Sequence, residues 1–209
     1  MFYIKLVLNS STNAYSLDDI RDGVCNRQYS DDIFHVNIDI MMCEHVEDND
    51  GEVIGFFQGY ILKGYVLDSI EYVFNALDDI DADSREIYSL INKYKKTIHK
   101  KVDLETLIMD NQRIYIGNKF YLDPAYRNKG IGAMVINLLE NKFLELTGHD
   151  VTLALHIAVP YEYDKDSPEK PLAQDSLIKF YKRCGYSQVS LRKDKEFMMK
   201  CFKQETSDI

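Results

Sequence analysis

At 209 residues with 45% hydrophobic side chains, the chain is long enough to bury a sizeable core, and it reads as one domain, 1–209. Its formal net charge of -9 excludes a general nucleic-acid binder, which needs a basic face to displace phosphate counterions; an acidic surface either favours amines and basic peptides or serves solubility. Cys25, Cys43, Cys184 and Cys201 form no CxxC pair, and the N-terminus has neither a charged leader nor a long apolar stretch, so the reading is a cytoplasmic protein without a membrane partner.

Residues 2–8 read as a first strand, and Ser16-Leu17-Asp18-Asp19-Ile20 opens a helix with Ser16 as its cap and acids in the first turn. Alternation through Ile33, Val36, Ile38 and Ile40 predicts a strand over 33–44. Asn49-Asp50-Gly51 then supplies a hairpin turn, and residues 53–62 return as a partner rich in β-branched and aromatic side chains. From about 66 to 110 the pattern is helical, with Val66, Ile70, Val73, Phe74 and Leu77 on one stripe and Ile87, Leu90, Ile91, Tyr94 and Ile98 on another. The acidic break at 78–83 lacks the glycine and terminal glutamate of a calcium loop and reads as a solvated turn. Lys93, Lys95, Lys96, Lys100 and Lys101 read as the polar face and C-terminal end of a helix.

Residues 114–122 place Ile114, Ile116, Phe120 and Leu122 at one parity, as in a half-buried strand. Asp123-Pro124 stops it, since proline has no amide to continue a ladder, and Gly130 and Gly132 leave the backbone room to approach a ligand and tolerate positive φ. From Ile131 the spacing turns helical through Met134, Val135, Leu138, Leu139, Phe143 and Leu146, with Thr147-Gly148 as the stop. The glycine turn therefore sits at a helix N-terminus, where open amides and the dipole favour an anion and Arg127 and Lys129 add charge. The Lys-Ser/Thr of a P-loop and the third glycine of a dinucleotide fingerprint are both missing, which disfavours a nucleotide hydrolase.

The stretch Arg127-Asn128-Lys129-Gly130-Ile131-Gly132, preceded by a strand and Pro124-Ala125-Tyr126, resembles the Arg/Gln-x-x-Gly-x-Gly/Ala motif A of the GNAT acetyltransferase superfamily. Downstream, residues 151–159 alternate Val151, Leu153, Leu155, Ile157 and Val159 against Thr152, Ala154, His156 and Ala158, a strand that the intervening helix would join in parallel to 114–122. That arrangement puts the turn at the carboxyl ends of the sheet, where ligands bind in open α/β folds. Residues 161–171, with Pro168 and Pro171, read as a long substrate-side loop. A helix over 173–183 closes at Cys184-Gly185, and Phe180-Tyr181-Lys182-Arg183-Cys184-Gly185-Tyr186 resembles the family's helix ending in Tyr-x-x-x-Gly-Phe/Tyr. Residues 187–191 and 197–202 read as a terminal antiparallel pair. The resemblance covers about residues 112–202. It implies the α/β GNAT fold, a mixed central sheet with flanking helices, here carrying the 66–110 segment as a helical insertion.

The resemblance also implies an acetyl-CoA-dependent N-acetyltransferase acting on a primary amine of a small molecule or protein, with acetyl-CoA as co-substrate and no metal. Acetyl transfer from a thioester needs a neutral nucleophile, a donor for the carbonyl and a proton for the departing thiolate. In the resemblance, backbone groups at Tyr121 and Leu122 align the pantetheine arm, and amides of Arg127, Asn128, Lys129, Gly130, Ile131, Gly132 and Ala133 hold the pyrophosphate. Tyr181 stands where the family places a tyrosine that protonates the thiolate; its other reading is a core aromatic on a helix face. The chain departs from the pattern in three places. Ile116 replaces the strand glutamate many members use as base. The usual coenzyme asparagine is missing, with Gln174 nearby as a substitute. The loop is elongated, with Glu162, Tyr163, Asp164 and Asp166 either available to bind or deprotonate an ammonium or simply solvated. His156 is either a proton relay or a hydrogen-bonded core histidine. A second reading is a GNAT-fold acyl-CoA-binding or regulatory module without turnover, and both readings allow a homodimer.

Overall fold

The alternating and β-branched runs dominate the architecture. A computed structural model describes residues 3–8, 13–15, 33–45, 51–63, 113–146, 151–164, 166–191 and 196–202. The expected helix at Ser16, residues 49–50 of the hairpin turn, the 66–110 insertion and the Thr147-Gly148 stop lie outside the described residues. Within them are β1 (Tyr3–Leu8), β2 (Asn13–Tyr15), β3 (Ile33–Cys43), β4 (Glu52–Lys63), β5 (Arg113–Leu122), α1 (Ile131–Leu146), β6 (Val151–Ile157), α2 (Lys170–Arg183), β7 (Ser187–Leu191) and β8 (Glu196–Cys201).

The strands form one sheet in the order β1-β3-β4-β5-β6-β8-β7, with β2 also beside β3. The expected hairpin is present, β3 and β4 pairing antiparallel from Ile33↔Leu62 to Met42↔Glu52. β5 and β6 pair in parallel, as their joining helix requires, while the other pairs are antiparallel. The terminal pair forms too, but β8 inserts between β6 and β7, so the later strand lies inside the sheet.

Two expectations about β5 change. It is not half-buried: Ile114, Tyr115, Ile116, Gly117 and Asn118 are all buried, because strands pair on both of its edges and both faces are covered. Its parity is also broken. Lys119 pairs with Gln58 and Gly117 with Gly59, leaving Asn118 as an extra residue, a bulge. Before the bulge Tyr115 faces the core beneath the helices; after it Leu122 does, with Phe120 packed against the same cluster, while Ile114 and Ile116 are buried outside that cluster. One extra residue thus exchanges the two faces of the strand.

That core joins Phe57, Ile61, Tyr115, Ala154, Ala158 and Met198 of the sheet side to Val135, Ile136, Leu139 and Phe143 of α1 and Ile178 and Tyr181 of α2. Each fully buried side chain of Leu139 or Phe143 size contributes about 1.5–3 kcal/mol of transfer free energy. The α1 stripe is rotated from its expected centre: Ile136 and Glu140 are buried and Met134 is 49% exposed. α2 begins at Lys170, earlier than expected, because Pro171 falls in its first turn, where a missing amide costs nothing. Gly185, at φ 89°, closes α2 as expected, with the Tyr186 amide donating to the Tyr181 carbonyl at 3.0 Å and the Gly185 amide to that of Lys182 at 3.1 Å. Among the described residues no helix is long and apolar enough to cross a membrane, and Cys43, Cys184 and Cys201 are free thiols.

Candidate active site

Three features meet at the carboxyl end of β5. The first is a split in the sheet. β5 and β6 pair only as far as Gly117↔His156, although β5 runs on to Leu122 and β6 to Ile157. The bulge at Asn118 lies at the point of parting, so among the described residues the β6-facing edge of β5 beyond it has no strand partner. The signal for this was the Gly117-Asn118 dipeptide inside a strand pattern, which marks bulges and close approaches.

The second is the turn. The Asp123 amide donates to the Ile54 carbonyl at 2.8 Å and its carboxylate accepts from the Ala125 amide at 2.9 Å, fixing a single 3-10 turn over Pro124–Tyr126. Positive φ occurs at Asn128 (60°) and Gly130 (81°), so of the two glycines that tolerate it only Gly130 uses it. Gly130 is open, with nothing within 4 Å of an added Cβ. Gly132 lies inside α1, and its hydrogen faces Phe180, 3.1 Å from where a Cβ would stand, so its smallness seats α1 against α2. The first helical bond runs from the Met134 amide to the Gly130 carbonyl at 3.2 Å, so the amides of Ile131, Gly132 and Ala133 precede the helical ladder. No acidic side chain occupies the first turn of α1, leaving the positive end of the dipole uncompensated.

Arg127 departs from its expected role. Its amide donates to the Pro124 carbonyl at 3.2 Å and is spent in the turn. Its guanidinium donates through Nε to the Leu122 carbonyl at 2.7 Å and grips the Glu162 carboxylate with both terminal nitrogens, 5.2 Å above the Tyr121 ring. The hydrogen bonds with Glu162 hold the guanidinium pKa above its ordinary value. Lys129 is exposed, its Nζ 5.8 Å from the Tyr126 ring, whose hydroxyl donates to Glu52 at 2.5 Å. Glu162 is therefore engaged in this structure, while Tyr163, Asp164 and Asp166 remain at the surface. Tyr161, unremarked as a site residue in the sequence, donates its hydroxyl to the Asn118 carbonyl at 2.9 Å.

The third feature is an aromatic box beneath the split. The His156 ring lies 4.9 Å from Tyr181, 5.0 Å from Tyr186, 5.2 Å from Tyr115 and 6.3 Å from Phe57, centroid to centroid. It is core, as one reading had it, but neither ring nitrogen has a hydrogen-bond partner, contrary to the hydrogen-bonded form of that reading. Burial first, and Lys200 second, lower its pKa to about 3, so the ring is neutral and cannot carry a proton near pH 7. Tyr181 is 2% exposed; burial, then Tyr161 and Cys184, push its phenol far above the ordinary value, so it stays protonated. Gln174 is buried and its amide nitrogen donates to the Ala158 carbonyl, tying α2 to the end of β6. Ile116 is buried with no carboxylate in its place. No group of three or more His, Cys, Asp or Glu among the described residues could hold a metal ion.

No protein-family model matches the chain, and no curated protein matches it. Among solved structures it is similar to NAA60 of Arabidopsis thaliana in complex with a bisubstrate analogue, at 13% identity over 95% of this chain and 98% of that one, TM-score 0.45. It is also similar to a mosquito arylalkylamine N-acetyltransferase like 5b (10% identity, 95% and 100% covered, TM-score 0.45) and to FeeM, an N-acyl amino acid synthase from uncultured soil microbes (8%, 96% and 91%, TM-score 0.45). The functional reading therefore stands on the split, the turn and the aromatic box.

Proposed function

We propose that the protein is an acetyl-CoA-dependent N-acetyltransferase that transfers an acetyl group to a primary amine of a small molecule or protein. The observation that carries the reading is the sheet that opens beyond Gly117↔His156 with the amide-rich start of α1 at its mouth. A thioester on an extended arm ending in a pyrophosphate matches both parts: the unpaired edge of β5 at Tyr121 and Leu122 for the arm, and the amides from Asn128 through Ala133 for the phosphates. The Arg127 amide leaves this set because Pro124 takes it.

Tyr181 then serves as the donor to the departing sulfur. A phenol held far above its ordinary pKa is always loaded but gives up its proton reluctantly, so it stabilises the thiolate chiefly by hydrogen bonding. Ile116, not a carboxylate, stands at the strand position where the resemblance places a base, and the neutral amine is taken from solution or deprotonated through water. This same absence favours a second reading, a module that binds acetyl-CoA without turning it over.

Calorimetry with acetyl-CoA tests the shared part of both readings. Binding is expected to the unmodified protein and not to Gly130→Glu, whose carboxylate projects into the open side of the turn; no binding to either sinks the proposal. Thiol release from acetyl-CoA with a panel of polyamines, arylalkylamines, amino acids and basic peptides separates enzyme from module, since steady turnover with any of them rejects the second reading.

A further inference from the structure

Two acceptors on the unpaired edge of β5 are already in use. The Asn118 carbonyl accepts from the Tyr161 hydroxyl and the Leu122 carbonyl from Arg127 Nε. Residues 118 and 122 share parity beyond the bulge, so both carbonyls point from the same edge of the strand. Tyr161 and Glu162 are neighbours in the loop after β6, and Glu162 is gripped by the same guanidinium that caps Leu122. Residues 161–164 therefore cross the split, fastened at the bulge by one phenol and at the turn by one bidentate ion pair. An arm laid along β5 would meet both fastenings.

We propose that residues 161–164 are a strap across the split, and that the coenzyme opens it by taking Arg127 from Glu162. This rests on the acetyl-CoA reading above. The chemistry is a competition of two anions for one planar fork, since a guanidinium binds carboxylate and phosphate in the same bidentate geometry. Each side chain of the ion pair is about one third exposed, 33% for Arg127 and 34% for Glu162, so the clasp is weak enough to exchange. A phosphate at the start of α1 also gains the dipole and open amides, which Glu162 in its present position does not use. Losing Glu162 removes one anchor of the strap. The pantetheine arm then displaces the Tyr161 hydroxyl from the Asn118 carbonyl and frees the loop that carries Tyr163, Asp164 and Asp166. Opening is thereby coupled to coenzyme binding, and the amine side becomes accessible only once the thioester is in place.

The chain contains no tryptophan, so Tyr163→Trp gives a single indole beside the clasp. Acrylamide quenching of that indole and calorimetry with acetyl-CoA form the test. The expected result is that saturating acetyl-CoA raises quenching. In the Glu162→Gln background quenching is already high without coenzyme, and acetyl-CoA binds roughly twofold to fivefold more tightly, the range such an exposed pair supports. Asp164→Asn removes the same charge outside the ion pair and should change neither reading. Full binding heat with unchanged quenching overturns the strap while leaving the coenzyme reading intact. Equal tightening in Asp164→Asn and Glu162→Gln also overturns it, because general charge and not the clasp is then responsible. Absence of acetyl-CoA binding in every variant overturns the coenzyme reading itself, and with it any opening of the strap by coenzyme.

Discussion

Replacing Gly117 with alanine measures how closely the site is built around His156. The new Cβ would stand well under 3.0 Å from Nδ1 and Cε1 of the imidazole, a separation real Cβ atoms do not show. The ring cannot swing aside, because Tyr115, Phe57, Tyr181 and Tyr186 surround it at 4.9 to 6.3 Å between centroids. Nor can β5 retreat easily, since it is paired to β4 and β6 at this residue. Overpacking a closed core in this way costs about 1–3 kcal/mol. For a chain of this size each kcal/mol lowers Tm by about 2–4 °C, so Gly117→Ala should lose about 2–12 °C in a thermal melt. Urea unfolding should show a lower midpoint at unchanged slope. In a His156→Ala background the clash is gone, and the cost of Gly117→Ala should shrink by about 1 kcal/mol or more, the coupling expected of residues in contact. A Tm that Gly117→Ala leaves unchanged in both backgrounds would refute the close approach, and with it the claim that glycine at the point of parting makes room for the ring.

Tyr181→Phe removes the phenol and keeps the ring, so turnover should fall about a hundredfold while acetyl-CoA affinity and Tm stay nearly unchanged; a parallel fall in stability would mark the hydroxyl as structural. The folded pKa of His156, about 3, lies below the unfolded value, so the unfolded chain binds the extra proton between them. Stability should then be full above about pH 6.5 and decline by about 1.4 kcal/mol per unit as pH drops towards 3, a slope that His156→Ala should remove from chemical denaturation curves; an unchanged slope contradicts the neutral buried ring. Glu140, buried on α1, accepts from the Tyr186 hydroxyl and Lys200 Nζ, each at 2.6 Å. Lys200→Met should therefore cost about 3–5 kcal/mol by leaving a buried carboxylate uncompensated, and adding Glu140→Gln should recover much of it; a mild effect of the single change would show that Glu140 is solvated.

The parts of this fold that could be read from residues are those set by local rules. Pro124 ends a strand wherever it stands, Gly185 closes α2 through a left-handed φ, and the change of period at Ile131 starts α1. The parallel pairing of β5 and β6 follows from a helix between two strands. What was misread depends on partners distant in sequence. Gly132 was read only for the room it leaves the backbone, because its packing against Phe180, 48 positions on, is invisible to a motif. The Arg127 guanidinium read simply as charge beside the turn because its tie to Glu162 spans 35 positions. Tyr161 looked like the start of a loop, and the Asn118 carbonyl that takes its hydroxyl lies 43 positions away. The parity of β5 failed at a bulge whose one local sign was Gly117-Asn118.

That bulge links the fold to the chemistry. Without the extra residue, β5 would keep Ile114, Ile116, Phe120 and Leu122 on one face, and the core beneath α1 and α2 would receive Lys119 and Tyr121 in place of Phe120 and Leu122. The phase change is therefore demanded by packing. Its consequence is that the backbone turns at Asn118, at the residue where pairing to β6 ends, and a carbonyl is left aimed along the split for Tyr161 to occupy. A sheet interior ordinarily has every such group paired, since an unmade backbone bond in a buried site is costly. Here the protein satisfies that group with a side chain from an exposed loop, a bond that an incoming ligand can replace group for group. The same insertion that keeps Leu122 in the core thus leaves an exchangeable acceptor at the place where β5 and β6 part.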